Sequence, residues 1–248
     1  MDALSSMDAA RGGSGSSPEA FGAEVRQLRK ARQMTLAELR DATAISISHL
    51  SAIERGAANP SLAMVSRIAA ALGVPEEWFF ARRPGAGPLE RAYVVREANR
   101  RNLNLLYGET VEQAGYSDAL LSSSIGGGFY MGLSDYPPHS EQVVDHYYTR
   151  EGEMHGLVLE GELELRLEDE IITLRAGDSF SFPGDIVHSA RNFSDRRARL
   201  LWVNAPVIIP QFTERVDRVP QRAETPDPQT DDQTRDHSRD PQGQGERR

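Results

Sequence analysis

The chain has 248 residues, 28 Lys and Arg against 37 Asp and Glu, and a formal net charge of −9; that length leaves room for two domains with tails. It contains no cysteine, which excludes disulfides and thiolate metal sites. No run of about 18 apolar residues occurs, so no membrane helix is expected, and the start MDALSSMDAARGGSGSSPEA lacks the pattern of a secretory signal, which makes the cytoplasm the expected location.

Residues 1–17 are rich in Ser, Gly and Ala and read as a disordered arm. Phe21, Val25 and Leu28 then recur at i, i+4 and i+7, which predicts an amphipathic helix; Arg26, Arg29, Lys30 and Arg32 are interleaved as candidate phosphate contacts. Thr35 and Glu38 stand three apart around Leu36 and ahead of Leu39, the signature of a capping box. Ala42 to Ile45 breaks the pattern. Ser46 opens a second short helix as its N-cap, with Ile45 and Leu50 spaced as a hydrophobic staple. Leu50 and Ile53 face inward, leaving Ser48, His49, Ala52 and Arg55 on the other side. Two short helices across a turn, over residues 35–55, read as a helix-turn-helix. After the loop ERGAANPS, Ser61 starts a fourth helix with Leu62, Val65, Ile68, Ala69 and Leu72 on one face. Gly73 stops it, and Pro75, Glu76 and Glu77 begin a short fifth helix carrying Trp78 and Phe79. Glu19 to Arg83 holds nine Lys or Arg and seven Asp or Glu, so the acidity of the chain lies elsewhere.

The run SxSHLSAIERGxxNPSL followed by IAxALGV resembles the Cro/C1, or XRE, type of helix-turn-helix over roughly residues 21–80. The resemblance implies an all-α, five-helix, lambda-repressor-like domain (18–81) whose second motif helix enters the major groove. Ser46, Ser48 and His49 are then candidates for base edges, with Ala52 and Arg55 on the same face; Thr35, Asn59 and Ser61 are candidates for phosphate contacts. The plainer reading makes the serines helix caps and the rest ordinary surface. Two positions depart from the family: Leu39-Arg40 replaces the usual Leu-Ala, and Ala44 stands where the turn usually has Gly. A left-handed Ala there costs on the order of 1 kcal/mol relative to Gly.

RRPGAGP at 82–88 reads as a linker within a connecting segment 82–111, which also holds a possible strand at Ala92 to Val95 and an apolar patch at Leu103 to Tyr107. From about Asp118 short strand-like runs follow: Phe129–Leu133, His155–Glu160, Glu162–Leu167, Ile171–Leu174, Phe180–Phe182 and Leu200–Val203. Breaks fall at Gly161, Glu168–Glu170, Gly177-Asp178 and Pro183-Gly184. Many short strands at close spacing point to a sandwich or small barrel. VLEGELELRL at 158–167 and LRAGDSFSFPGDIVHSARN at 174–192 resemble a cupin, an all-β double-stranded β-helix jelly roll, over residues 112–207. Beyond that, 208–248 is a polar tail expected to be disordered.

Cupins that bind metal supply two His in an H-x-H, a Glu, and a third His. The matching positions here are Tyr148, Arg150, Met154 and His188, so only one ligand is kept. Arg stays protonated and has no lone pair to give a cation, so no metal and no cofactor are expected. A displaced site using His146 with His188 is the alternative. The same four residues instead make a candidate ligand site, in which the Arg150 fork suits a carboxylate or phosphate. Against this, Arg150 can be a solvent-facing loop residue, and His188 a core histidine bonded to Asn192.

The expected protein is therefore a non-enzymatic DNA-binding transcriptional regulator. Its partners are a palindromic double-stranded operator, a small anionic effector held by the cupin domain, and a second copy of the chain. No membrane is among them. The fosfomycin-forming epoxidase pairs similar domains around a cupin iron, so a metal-dependent enzyme is the rival; a DNA binder whose cupin only dimerises is a third reading.

Overall fold

The computed structural model describes residues 17–80, 87–108, 110–140 and 151–209. Its first half is helical because each cap foreseen in the sequence forms. Helix α1 (Pro18–Ala31) starts on Ser17, whose hydroxyl accepts the Ala20 N–H at 3.3 Å, with Pro18 where a missing N–H is harmless. Helix α2 (Leu36–Thr43) starts on the capping box: Glu38 N–H donates to Thr35 Oγ1 at 3.2 Å and Thr35 N–H donates to Glu38 Oε2 at 2.7 Å. Ser46 caps α3 (Ile47–Glu54) through the His49 N–H at 3.3 Å. Helix α4 (Leu62–Leu72) runs from Ser61 to Gly73, which closes it at φ 65°. Glu76–Phe80 forms a 3-10 turn in place of a fifth α-helix and still buries Trp78 and Phe79.

The turn between α2 and α3 has the left-handed geometry implied by the family's glycine: Ala44 sits at φ 53°, ψ 30°. A side chain the sequence reading passed over holds it. Buried Thr43 donates its hydroxyl to the Leu39 carbonyl at 2.6 Å and accepts the Ile45 N–H at 3.3 Å. Arg67 of α4 adds a bond to the Thr43 carbonyl at 3.0 Å. Helix α1 then lies close against α3, because a Cβ at Gly22 would stand 2.1 Å from the Ile53 carbonyl oxygen.

Three expectations are corrected here. Leu62 is 76% exposed, since the packed face of α4 starts one turn later at Val65. Residues 88–93 form helix α5 (Pro88–Tyr93), so the strand proposed at Ala92 to Val95 does not form; Pro88 opens the helix and no residue of it is buried. Two of the basic residues of α1 are not phosphate contacts. Arg29 forms a bidentate pair with Glu54 of α3, at 2.6 and 3.0 Å, and both side chains are nearly inaccessible. Arg32 is buried and donates to the carbonyls of Leu72 (3.2 Å) and Leu106 (2.7 Å). Arg26 and Lys30 remain exposed.

The second half is β-rich. The strands are β1 (Arg101–Asn102), β2 (Ser117–Leu120), β3 (Tyr130–Tyr136), β4 (Glu153–Glu160), β5 (Glu162–Leu167), β6 (Glu170–Arg175), β7 (Ser179–Pro183), β8 (His188–Arg191) and β9 (Ala198–Ala205). One sheet has the order β1-β2-β3-β9-β4-β7 and the other β6-β5-β8, and neighbouring strands in both run antiparallel. Strands β1, β2 and β8, too short for a visible period, were not foreseen. Strand β9 alternates strictly, turning Ala198, Leu200, Trp202 and Asn204 inward. Gly132 lies opposite Trp202, and a Cβ there would meet the indole at 2.2 Å, so the glycine makes room for the ring.

Helical and β-rich parts are joined by more than chain. Glu24 of α1 pairs with Arg101 of β1 and accepts the Trp78 indole N–H at 3.0 Å, while the Arg101 guanidinium lies 4.8 Å from the Trp78 ring centroid. Ile209, placed by composition in the polar tail, is buried and donates its N–H to the Ala31 carbonyl at 2.8 Å. The apolar patch at 103–107 is a 3-10 turn over Asn104–Tyr107 that buries Leu106, just after buried Leu103.

Replacing Ala44 by Gly relieves the left-handed strain and is expected to stabilise the chain by about 1 kcal/mol. Urea unfolding of the two proteins checks this; equal midpoints would show that the turn is not strained.

Candidate DNA-reading face and barrel cavity

Helix α3 is fixed from beneath by Leu50 and Ile53, which are fully buried, and by the Arg29–Glu54 pair at its C-terminal end. Its outer side carries exposed Ser46, Ser48 and Arg55, with His49 and Ala52 partly exposed. By the helical period Ser48, His49, Ala52 and Arg55 fall on one side of α3, and Ser46 stands at its start. Ser46 acts as a cap first, and its oxygen lies 3.2 Å from Ser48 Oγ. Either hydroxyl can donate to the other, and the one that accepts keeps its own hydrogen for an outside acceptor. Arg55 reaches back to Ser51 Oγ.

Ser61 caps α4 through the Met64 N–H at 3.4 Å, and Asn59 is exposed in the loop before it. Thr35 differs from them. Its hydroxyl also donates to Glu38 Oε2 at 2.8 Å, so it contacts a phosphate only by giving up that bond. Sequence reasoning missed Arg67, whose exposed guanidinium is held by the Ala63 and Thr43 carbonyls.

In the β-rich half, Met154 and His188 line one cavity of about 50 Å³, as their positions in the motif suggested. Tyr148 and Arg150, with His146, lie outside the described residues. His155 is exposed, on the opposite side of its strand from Met154. Buried His188 has Nδ1 2.8 Å from the Ile186 carbonyl, which can only accept, so Nδ1 carries the hydrogen. Phe182 stands edge-on to its ring at 4.9 Å. The bond considered between His188 and Asn192 is not what fixes either residue. The Asn192 amide nitrogen donates to the carbonyls of Tyr136, Pro137 and Arg196, and its oxygen accepts from Ser194, so Asn192 is a loop anchor.

The cavity also has a polar floor that the sequence reading missed. Asp118 Oδ1 accepts from the Ser134 hydroxyl and, at 3.3 Å, from the Trp202 indole N–H, which reaches Ser134 Oγ at 2.9 Å. Ser189 Oγ and Asn204 Oδ1 are buried at its wall with no hydrogen-bond partner. Asn204 Nδ2 donates to the Tyr130 hydroxyl at 3.3 Å, and that hydroxyl lies 3.0 Å from the Tyr107 hydroxyl. The available signal was the inward period of β9, which places a polar Asn204 two residues after Trp202. Among the described residues no group of three His, Cys, Asp or Glu is arranged to hold a metal ion.

A helix-turn-helix domain model matches residues 20–78, and a cupin domain model matches residues 132–204. The chain carries an XRE-type helix-turn-helix domain and a cupin domain. The HTH-type transcriptional regulator SutR of Escherichia coli (strain K12) is 27% identical to this helix-turn-helix–cupin chain over 173 residues, 68% of this chain and 84% of that protein. An HTH_3 family transcriptional regulator from Vibrio cholerae aligns at 18% identity and a TM-score of 0.34, covering 76% of this chain and 96% of its own. The hydroxypropylphosphonic acid epoxidase of S. wedmorenis aligns at 19% identity and a TM-score of 0.38, covering 76% and 98%.

The capping box that starts α2 titrates. Glu38 is held below the usual carboxylate range by the Thr35 N–H first and the Thr35 hydroxyl second, against small opposing effects of burial and Asp41. A lowered folded pKa gives stability that is present above the unfolded value and is lost as pH falls through the folded one. The melting temperature is therefore expected to drop below about pH 4.3, the ordinary Glu value. Glu38→Gln keeps the box without the titration and should flatten that part of the profile; an identical profile would rule Glu38 out as its source.

Proposed function

We propose that this chain is a sequence-specific DNA-binding transcriptional regulator, dimerised by its cupin domain and responsive to a small metabolite. The observation that carries the reading is the outer face of α3. Small polar side chains and Arg55 stand exposed on a short helix whose other side is locked to α1. Such a face suits the major groove, where Ser48 and His49 would meet base edges and Ser46, Asn59 and Ser61 would meet phosphates or base edges. The similarity to SutR, an HTH-type transcriptional regulator, is in keeping with this. One domain of this size makes a small interface, so useful affinity calls for two copies on half-sites about one helical turn apart.

The effector reading assigns Met154 and His188 to the barrel cavity together with Ser189 and Asn204, the groups there that need partners. Tyr148 and Arg150 complete the set, with Arg150 gripping an anionic group. At about 50 Å³ the cavity as it stands takes only a few water-sized atoms, so a larger effector requires the barrel to open. The non-enzymatic reading follows from the ligand positions: Met154 replaces a carboxylate, and Arg150 an imidazole.

Selection from a random duplex pool tests the DNA assignment. The wild type is expected to enrich a two-fold-symmetric motif, and His49→Ala to lose or change it while keeping salt-dependent binding to any duplex. The same motif from both proteins would remove His49 from base reading. Metal analysis of the purified chain tests the other half. Substoichiometric metal is the expected result; one tightly held iron or manganese per chain would favour an enzyme.

A further inference from the structure

A second cleft, apart from the barrel, lies between the helical and β-rich parts. It has a volume of about 370 Å³ and is lined by Glu77, Trp78, Asn99, Arg100, Arg101 and Asn102 among others. That volume falls in the range of small-molecule sites. Two of the residues are already engaged: Arg101 is neutralised by Glu24 and covers Trp78. Arg100 is different. Its side chain is 25% exposed, and among the described residues its one ion pair is a long one, Nη1 to Glu97 Oε1 at 3.5 Å, with Glu97 82% exposed. A guanidinium is always charged and always a donor, and this one keeps accessible area for an anionic acceptor in the cleft that it lines.

We infer that this cleft binds the carboxylate or phosphate end of a small metabolite through Arg100. The amides of Asn99 and Asn102 supply neutral hydrogen bonds, and the Trp78 indole supplies apolar surface for the rest of the ligand. Glu77 is exposed at the same site, so its charge stays hydrated and screened. The bound molecule touches Glu77 and Trp78 on the helical side and residues 99–102 leading into β1 on the other. It therefore ties the two parts together, and through the regulator reading above it would bias how the α3 face is presented to DNA. Binding itself does not depend on that reading.

Calorimetric titration of the full chain with inorganic phosphate and with succinate tests the site. Wild type is expected to bind at least one of them. Arg100→Gln should weaken it about tenfold or more. Arg100→Lys should weaken it less than Arg100→Gln, because the charge is kept while the planar fork is lost. Arg150→Ala removes only the anion contact assigned to the barrel, so the Arg100-dependent part of the binding is expected to persist in it, and Arg175→Ala, at an exposed ion pair with Glu162, should leave binding unchanged. Hydrogen exchange of the wild type with the bound probe should show added protection in 75–78 and 99–102, a readout that holds even where a variant folds poorly. No binding of either probe, or unchanged binding in Arg100→Gln, overturns the proposal. Loss in Arg150→Ala alone overturns it too and supports the barrel as the anion site instead.

Discussion

Helix α1 is covered on two sides, and three charged residues on it or at its end, Glu24, Arg29 and Arg32, are drawn out of water. Everything else follows from how they are satisfied. Burying a charge without a partner costs several kcal/mol, so Arg29, Arg32 and Glu24 each fix an element. Arg29 holds α3 through Glu54. Arg32 holds the end of α4 and the turn at Leu106, and burial pushes its guanidinium below the ordinary value. Glu24 holds Trp78 and Arg101. The pose of the DNA-reading helix and the attachment of the β-rich half thus depend on one helix.

The same helix brings the barrel within reach of the DNA-binding half. Arg32 donates to the carbonyl of Leu106, next to Tyr107, whose hydroxyl meets that of Tyr130, and Tyr130 also accepts from Asn204 at the cavity wall. Two routes therefore connect the halves, one through the phenols to Arg32 and one through Arg101 to Glu24. A metabolite has leverage on DNA binding only where its affinity differs between two arrangements of these contacts. The long strands supply the rigid part: β9 pairs with β3 on one side and β4 on the other, and its inward row places Trp202 and Asn204 together.

Much of the fold was legible before the structure because the cues are local. Caps at Thr35, Ser46 and Ser61, the staple at Ile45 and Leu50, and the stop at Gly73 depend on neighbours a few residues away. The left-handed turn at Ala44 was implied only by the family resemblance, whose turn usually has Gly there. Strands with a clear period, β4, β5, β6 and β9, were legible, whereas β1, β2 and β8 were not, because two to four residues carry no period. The strand at Ala92 to Val95 failed for the opposite reason: a short apolar pattern fits either structure, and Pro88 favours a helix start.

The sequence by itself determined which residues stand on the outer face of α3, since a 3.6-residue period and a cap leave no choice, and it determined that the metal-ligand positions of the cupin motif are mostly lost. Only the tertiary structure decided which charges are surface and which are joints. Arg26 and Arg29 look alike in the sequence, yet one is exposed and the other is bound to Glu54, 25 residues away. The cavity floor of Asp118, Ser134 and Trp202 comes from three strands, and the cleft at Arg100 comes from both halves of the chain. Contacts between residues far apart in sequence are set by packing, where burial makes most polar groups find a partner, and no local pattern carries that information.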